Sequence, residues 1–426
     1  MSKIIDRFGR TVESRICKNP ALTHRLLCAG YSFTRMQMKH FPNRKLPDSR
    51  ADAAVICMDA LLDPLKKRGQ TAIVNIFLPC EMLHALGIRP LVAEQISCYL
   101  CGAASEQGFL KTASAAGVPD TMCSYHRIMT GFALSGVMPK PDFAANTTMA
   151  CDANTNTFRF LSRHWKVPHF TIDTPMSCSD EAVDYVASQL EKMGRDIEDT
   201  VKMKIDREKL TQSLSLSRKT LENYNKYLKV LAEKYFINDM TSEMYSILAL
   251  HNLLGTPQSE NYFRMLLKDC REAPERGKGR RLFWVHTLPN CQDSMREIIN
   301  WNPDNQLLIS DLTIDAPDDF RWAGETDPYR AMARRVLGNT FNGEFSHRGR
   351  KIIAAAHKLN ADGIVMFSHW GCRNTNGGIK ILSDMAEEAG IPLLVLDGDG
   401  CDMKNTNDGQ MSTRLEAFLE LLEEKK

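Results

Sequence analysis

The sequence predicts an α/β protein built as two open parallel-sheet domains, and three observations lead there. Short, continuous apolar runs rich in β-branched residues recur in both halves of the chain. Segments with helical periodicity fill the intervals between them. A longer, purely helical stretch separates the halves. Strands that are apolar on both faces and alternate with helices indicate a parallel sheet covered on both sides.

Taken in order, residues 1–50 read as an N-terminal segment of helices and polar loops. A first α/β domain is expected over 51–205, with strands at 54–58, 72–77 (AIVNIF), 143–149 and 167–172 (VPHFTI) and helices at 81–86 and 100–116. A helical block follows over 206–275. Its pieces 207–236, 240–253 and 258–269 carry apolar residues at helical spacing, as does 180–194 just before it. A second α/β domain is expected over 276–426. Its strands are 282–288 (LFWVHTL), 306–312 (QLLISDL), 363–367 (GIVMF) and 392–396 (PLLVL), with helices at 293–300, 329–337, 346–359, 379–389 and 410–424. The simplest architecture is a pair of flavodoxin-like domains facing each other across a cleft.

Composition narrows the function. A chain of 426 residues with 43% hydrophobic and 25% charged residues has the balance of a globular protein of two or three domains. The net charge is only +2 and no long basic run occurs, so neither nucleic acid nor an anionic membrane is an expected partner. No signal peptide is legible in residues 1–15 and no apolar stretch reaches about 18 residues, so a cytoplasmic location is expected.

Thirteen cysteines are the anomaly. The odd number, in a chain expected to stay in a reducing cytosol, argues against a disulfide framework. Cys17, Cys28, Cys57, Cys178 and Cys270 lack any flanking motif and read as small buried hydrophobes. Position singles out the others. Cys80 follows the run 72–77, Cys151 closes 143–149, Cys372 follows 363–367 and Cys401 follows 392–396, while Cys123 opens a helical stretch after a turn at Gly117. Open α/β sheets bind ligands outside the carboxyl ends of their strands, so these thiols are expected to line the interdomain cleft. Only Cys98 and Cys101 have the close spacing that zinc favours, and two small residues on a helix explain that pair equally well. Long-range thiolates meeting in one cleft suit an iron–sulfur cluster, with inert buried thiols as the alternative.

The strings FLPCEMLHALGIRPL, MCSYHRIMTG, TTMACDAN, FSHWGCRNTNGG and LDGDGCDMKN, with RLEAFLELL, span residues 71–425 in order. Together they resemble the 2-hydroxyacyl-CoA dehydratase/benzoyl-CoA reductase family. The resemblance implies that Cys123, Cys151 and Cys372 hold a [4Fe–4S] cluster with one iron open to substrate. It implies an ATP-hydrolysing iron–sulfur activator protein that delivers one low-potential electron. The substrate would be a 2-hydroxyacyl-CoA, which loses water through a ketyl radical. It further implies a homologous second subunit or a homodimer. The chain has no phosphate-binding loop of its own, which fits an external ATPase.

Cys80, Cys101 and Cys401 depart from the family pattern and could supply a second set of thiolates. A branch of the family carries a double-cubane [8Fe–9S] cluster and reduces small molecules, so that reading stays open beside the dehydratase. A non-catalytic metal-binding protein is a third. Glu81 and His84 share a helix face and, with His126, are candidate acid/base groups; helix-start and structural roles are the alternatives. Asp397, Asp399 and Asp402 resemble a magnesium loop but read more simply as a turn. Arg276–Arg281, Arg330 and Arg373 are basic candidates for the CoA phosphates.

Overall fold

The computed structural model describes residues 3–289, 292–314 and 324–424. Two four-stranded sheets, all parallel, form its two centres. The first contains β1 (Thr71–Val74), β2 (Arg89–Val92), β3 (Phe143–Thr147) and β4 (His169–Ile172) in the order β2-β1-β3-β4. The second contains β5 (Arg280–Val285), β6 (Asn305–Ser310), β7 (Gly363–His369) and β8 (Leu393–Gly398) in the order β6-β5-β7-β8. In each sheet the chain runs outward to one side and then returns to the other. The switch points therefore fall between β1 and β3 and between β5 and β7, and ligand crevices open at the carboxyl ends of such pairs. Register is held by pairs such as Val74 with Ala145 and Val285 with Met366. Strands β3 and β7 are buried along their whole length, as parallel strands covered by helices on both faces must be.

The helical block packs across both domains. Helices Asp180–Val201, Arg207–Leu231, Met240–Leu250 and Pro257–Glu272 contribute Val186, Tyr224, Leu248 and Phe263 to one core that also holds Val74 from the first sheet and Met366 from the second. Among the described residues no helix is long and apolar enough to cross a membrane.

Two expected elements differ. Residues 54–58 lie inside helix Asp48–Leu65, where Ala53, Cys57, Leu61 and Leu65 are buried at four-residue spacing. The short run ICM was apolar because of that helical stripe. The strand that completes the first sheet is instead β2, an edge strand that tolerates Pro90 because its outer side donates nothing to a ladder. The expected helix 100–116 is two, Ala93–Gly102 and Glu106–Ala115, broken at Ala104, whose φ is +53°.

Glu81 ties these parts together. Its carboxylate is completely buried and receives Arg335 Nη2 at 2.9 Å on both oxygens and Ser217 Oγ at 2.9 Å. The pair links helix Glu81–Ala85 of the first domain to helix Pro328–Leu337 of the second. Arg335→Met leaves that carboxylate unpaired and is expected to destabilise the protein by about 3–5 kcal/mol in urea unfolding at neutral pH. The double variant with Glu81→Gln recovers part of that loss, because the uncompensated charge is then gone.

Candidate functional site

Three thiols converge, Cys151 and Cys372 from the ends of β3 and β7 and Cys123 from the turn between helices Glu106–Ala115 and Ser124–Leu134. Cys123 is the cap residue before helix Ser124–Leu134, Cys151 before Asp152–Trp165 and Cys372 before Arg373–Asn376. The Cys123 and Cys151 sulfurs therefore sit beside backbone N–H groups at the start of a helix, where negative charge is favoured. The Cys123 sulfur receives the backbone N–H of Tyr125, and Cys151 receives those of Asn154 and Ala153. The sulfurs lie close enough for each charge to be felt by the others: Cys372 and Cys151 act on Cys123, and Cys372 acts on Cys151. Burial, reinforced by those neighbours, pushes the Cys123 thiol well up, and burial pushes Cys151 up to about 12. The Cys123 and Cys151 thiols are thus costly to ionise alone and gain most from a shared cationic core.

The backbone is bent to make this meeting. Ala150 has φ +78° and His286 φ +77°, both uncommon for residues with a Cβ. Gly371 has φ +81°, and a Cβ there would stand 2.8 Å from the Cys123 backbone nitrogen, so only glycine lets the Cys123 and Cys372 loops touch.

A histidine faces each thiol. His369 Nε2 is 3.2 Å from Cys123 Sγ, His286 Nε2 is 3.5 Å from Cys372 Sγ, and His126 Nε2 is 4.0 Å from Cys151 Sγ. All three rings are neutral at pH 7. Burial lowers His369 to about 4, His286 to about 3 with help from the Arg348 charge, and His126 to about 4 with help from His369. His369 Nδ1 accepts the Gly400 N–H at 3.0 Å, so its proton resides on Nε2 and points at Cys123. His286 Nδ1 donates to the Phe367 carbonyl at 3.3 Å, leaving the Nε2 lone pair toward Cys372.

The remaining sequence candidates lie elsewhere. Cys80 is in the large core, its thiol donating to the Leu78 carbonyl at 3.3 Å, and burial with the neighbouring Glu81 pushes it up to about 12. Cys101 is fully buried and disulfide-bonded, contrary to the expectation of wholly reduced thiols, so its sulfur is not offered as a thiolate. Cys401 packs in a separate core cluster in hydrogen-bond contact with Cys98 and the Tyr125 hydroxyl. Cys80 therefore does not join Cys101 and Cys401 in one set. Glu81 is held in its ion pair, and His84 donates Nε2–H to the Asn252 carbonyl at 2.9 Å, both inside packed structure. Asp399 receives the N–H groups of Cys401 and Asp402 at 3.0 and 2.9 Å, as a turn residue does. The loop 276–281 runs into the amino end of β5, opposite the thiols, and Arg330 pairs with Asp184 and Glu325. Arg373, exposed and next to Cys372, is the basic candidate at the site.

Glu94 is the residue that the sequence reading missed. It opens helix Ala93–Gly102 directly after β2, at the same carboxyl edge, and its charge acts on Cys151. Its Oε2 is buried without a hydrogen-bond partner, and burial raises the carboxyl from 4.5 to about 7 even though it accepts its own N–H and that of Ile76. The strand-end rule applied to the cysteines would have found it.

Residues 75–422 match the family described as 2-hydroxyglutaryl-CoA dehydratase, D-component. The chain is 21% identical over 370 residues to the (R)-phenyllactyl-CoA dehydratase alpha subunit of Clostridium sporogenes, covering 82% of this chain and 88% of that one. It is 22% identical over 377 residues to the (R)-2-hydroxyisocaproyl-CoA dehydratase alpha subunit of Clostridioides difficile, covering 82% and 89%. It is 22% identical over 300 residues to subunit alpha of the (R)-2-hydroxyglutaryl-CoA dehydratase of Acidaminococcus fermentans, covering 67% and 61%. With a match over most of its length and two parallel sheets of the same strand order, the chain belongs to the 2-hydroxyglutaryl-CoA dehydratase D-component family.

Proposed function

We infer that this chain is the iron–sulfur subunit of a reductive 2-hydroxyacyl-CoA dehydratase. It works beside a second, similar subunit and receives electrons from an ATP-hydrolysing activator. The observation that carries the reading is the meeting of Cys123, Cys151 and Cys372 at three helix starts, with backbone N–H groups turned toward the Cys123 and Cys151 sulfurs. Among the described residues no three His, Cys, Asp or Glu side chains close around a single metal ion. An all-sulfur donor set of this kind fits a multi-iron core that spans the space between ligands.

Cys123, Cys151 and Cys372 would hold a [4Fe–4S] cluster, which would supply Lewis acidity toward a substrate oxygen and a path for a single electron. The rest falls to the protein. Nε2–H of neutral His369 donates toward the Cys123 sulfur and holds it in place. The His286 and His126 rings cover the other two thiols and keep water from them. Arg373 offers a cation at the site's rim for CoA phosphate. One-electron reduction of the thioester carbonyl would give a ketyl radical anion that expels the 2-hydroxyl, and the enoxy radical left behind would become the enoyl-CoA by losing a C3 proton and giving back the electron, so that the dehydration is redox-neutral overall. Glu94 holds a proton below pH about 7 and hands it to that hydroxyl, which leaves as water.

Anaerobic reconstitution tests the reading. Roughly four irons and four sulfides per chain are expected, with a reduced cluster visible by electron paramagnetic resonance. With activator, ATP and a 2-hydroxyacyl-CoA, the enoyl-CoA should form. About eight irons would favour the double-cubane reductase instead. A colourless protein carrying zinc would overturn the proposal.

A further inference from the structure

A cavity of about 790 Å³, lined by Glu94, lies between the first domain, helix Met240–Leu250 and the N-terminal helices Lys3–Glu13 and Pro20–His40. Its walls are apolar, with Phe8, Met58, Ile76, Met244, Leu248 and Leu288 among them. Of its described lining residues only Glu94 and Arg296 are an acid or a base, and Arg296 is bonded to Thr241 Oγ1. The outer rim is apolar too: Ile4 is 81% exposed and Phe33 55% exposed.

We propose that this cavity is the acyl pocket, and that it selects 2-hydroxyacyl thioesters with an uncharged, apolar acyl group of about six carbons or more. The proposal rests on the dehydratase reading above and adds the substrate class. Continuity supplies the first argument. Glu94, whose charge reaches Cys151, lines this cavity, so a thioester reacting at the thiols would project its acyl chain into this space. Size and polarity supply the second. A lactoyl methyl group would leave most of the volume to water, whereas a longer chain replaces that water with apolar contact. The third argument is charge: an acyl chain ending in a carboxylate would bury that charge among apolar side chains, which is costly.

Isothermal titration of the anaerobically reconstituted protein with CoA, propionyl-CoA, hexanoyl-CoA, octanoyl-CoA and glutaryl-CoA tests the proposal. Affinity should rise about fourfold per added methylene from propionyl to hexanoyl, while glutaryl-CoA binds no better than CoA. Met244→Trp fills the half-buried wall and should flatten the chain-length series while propionyl-CoA binding and iron content stay unchanged. Phe33→Arg, on an exposed helix face that tolerates the change, should raise glutaryl-CoA binding by placing a cation at the mouth. Propionyl-CoA or glutaryl-CoA binding as tightly as hexanoyl-CoA would sink the acyl-pocket assignment and leave the dehydratase reading intact. If no thioester binds better than CoA alone, both fall.

Discussion

Cys151→Ser is expected to strip most of the iron from the reconstituted protein and to lower dehydration by at least about 100-fold. Serine keeps the shape of the side chain but not the soft, ionisable sulfur that iron requires. The local structure is committed to that sulfur. Ala150 adopts a φ of +78°, and Cys151 then caps helix Asp152–Trp165 with its thiol beside the N–H groups of Ala153 and Asn154. A strained residue followed by a preorganised sulfur position makes sense where the sulfur carries negative charge. Without such a charge the same burial pushes the thiol up to about 12 and leaves it inert. Cys17→Ser, at an exposed position, is the control and should keep its iron. Iron and sulfide counts on the two variants, with the spectrum of the reduced state, check the prediction. Full iron in the Cys151 variant would remove that residue from the ligand set.

What the sequence disclosed and what it hid have a common physical origin. Strands of a parallel sheet are apolar on both faces, so Val74, Ala145, Val285 and Met366 stand in runs that stop abruptly at the sheet edge. The residue after such a run is placed by the fold itself, which is why Cys151 and Cys372 were legible without any partner in view. Partners separated by hundreds of positions leave no local trace. Glu81 read as an acid at a helix start, yet it is neutralised by Arg335, 254 residues away. His369 read as a neighbour of Cys372, yet its ring serves Cys123, 246 residues away. His286 was hidden inside a run expected to be strand; the chain leaves the sheet at that residue with φ +77° to turn its ring inward. The run 54–58 was misread for the opposite reason. Five apolar residues cannot separate a buried helix stripe from a strand, and only Ala53, Cys57, Leu61 and Leu65 together reveal the period.

Glu94→Gln should lower kcat/KM by roughly 10²–10⁴-fold and erase one limb of the pH profile. The wild-type carboxyl is raised from 4.5 to about 7, chiefly by burial, so its proton stays on below pH about 7 and is lost above it. If Glu94 delivers the proton that converts the departing hydroxyl to water, activity holds below pH about 7 and falls as pH rises through that value. Glutamine keeps the volume and both heavy-atom positions but has no proton to give, so the residual activity should be flat across the same range. Stability moves independently and in a defined direction. A carboxyl whose folded pKa is raised binds more protons than the unfolded chain between pH 4.5 and about 7. The folded state therefore loses up to ~3 kcal/mol over that window in the wild type and keeps it in the variant. A merely structural Glu94 would show the stability difference alone. Catalysis by Glu94 demands that the activity limb disappear with it, and a variant retaining the wild-type fall near pH 7 would assign the proton to another group.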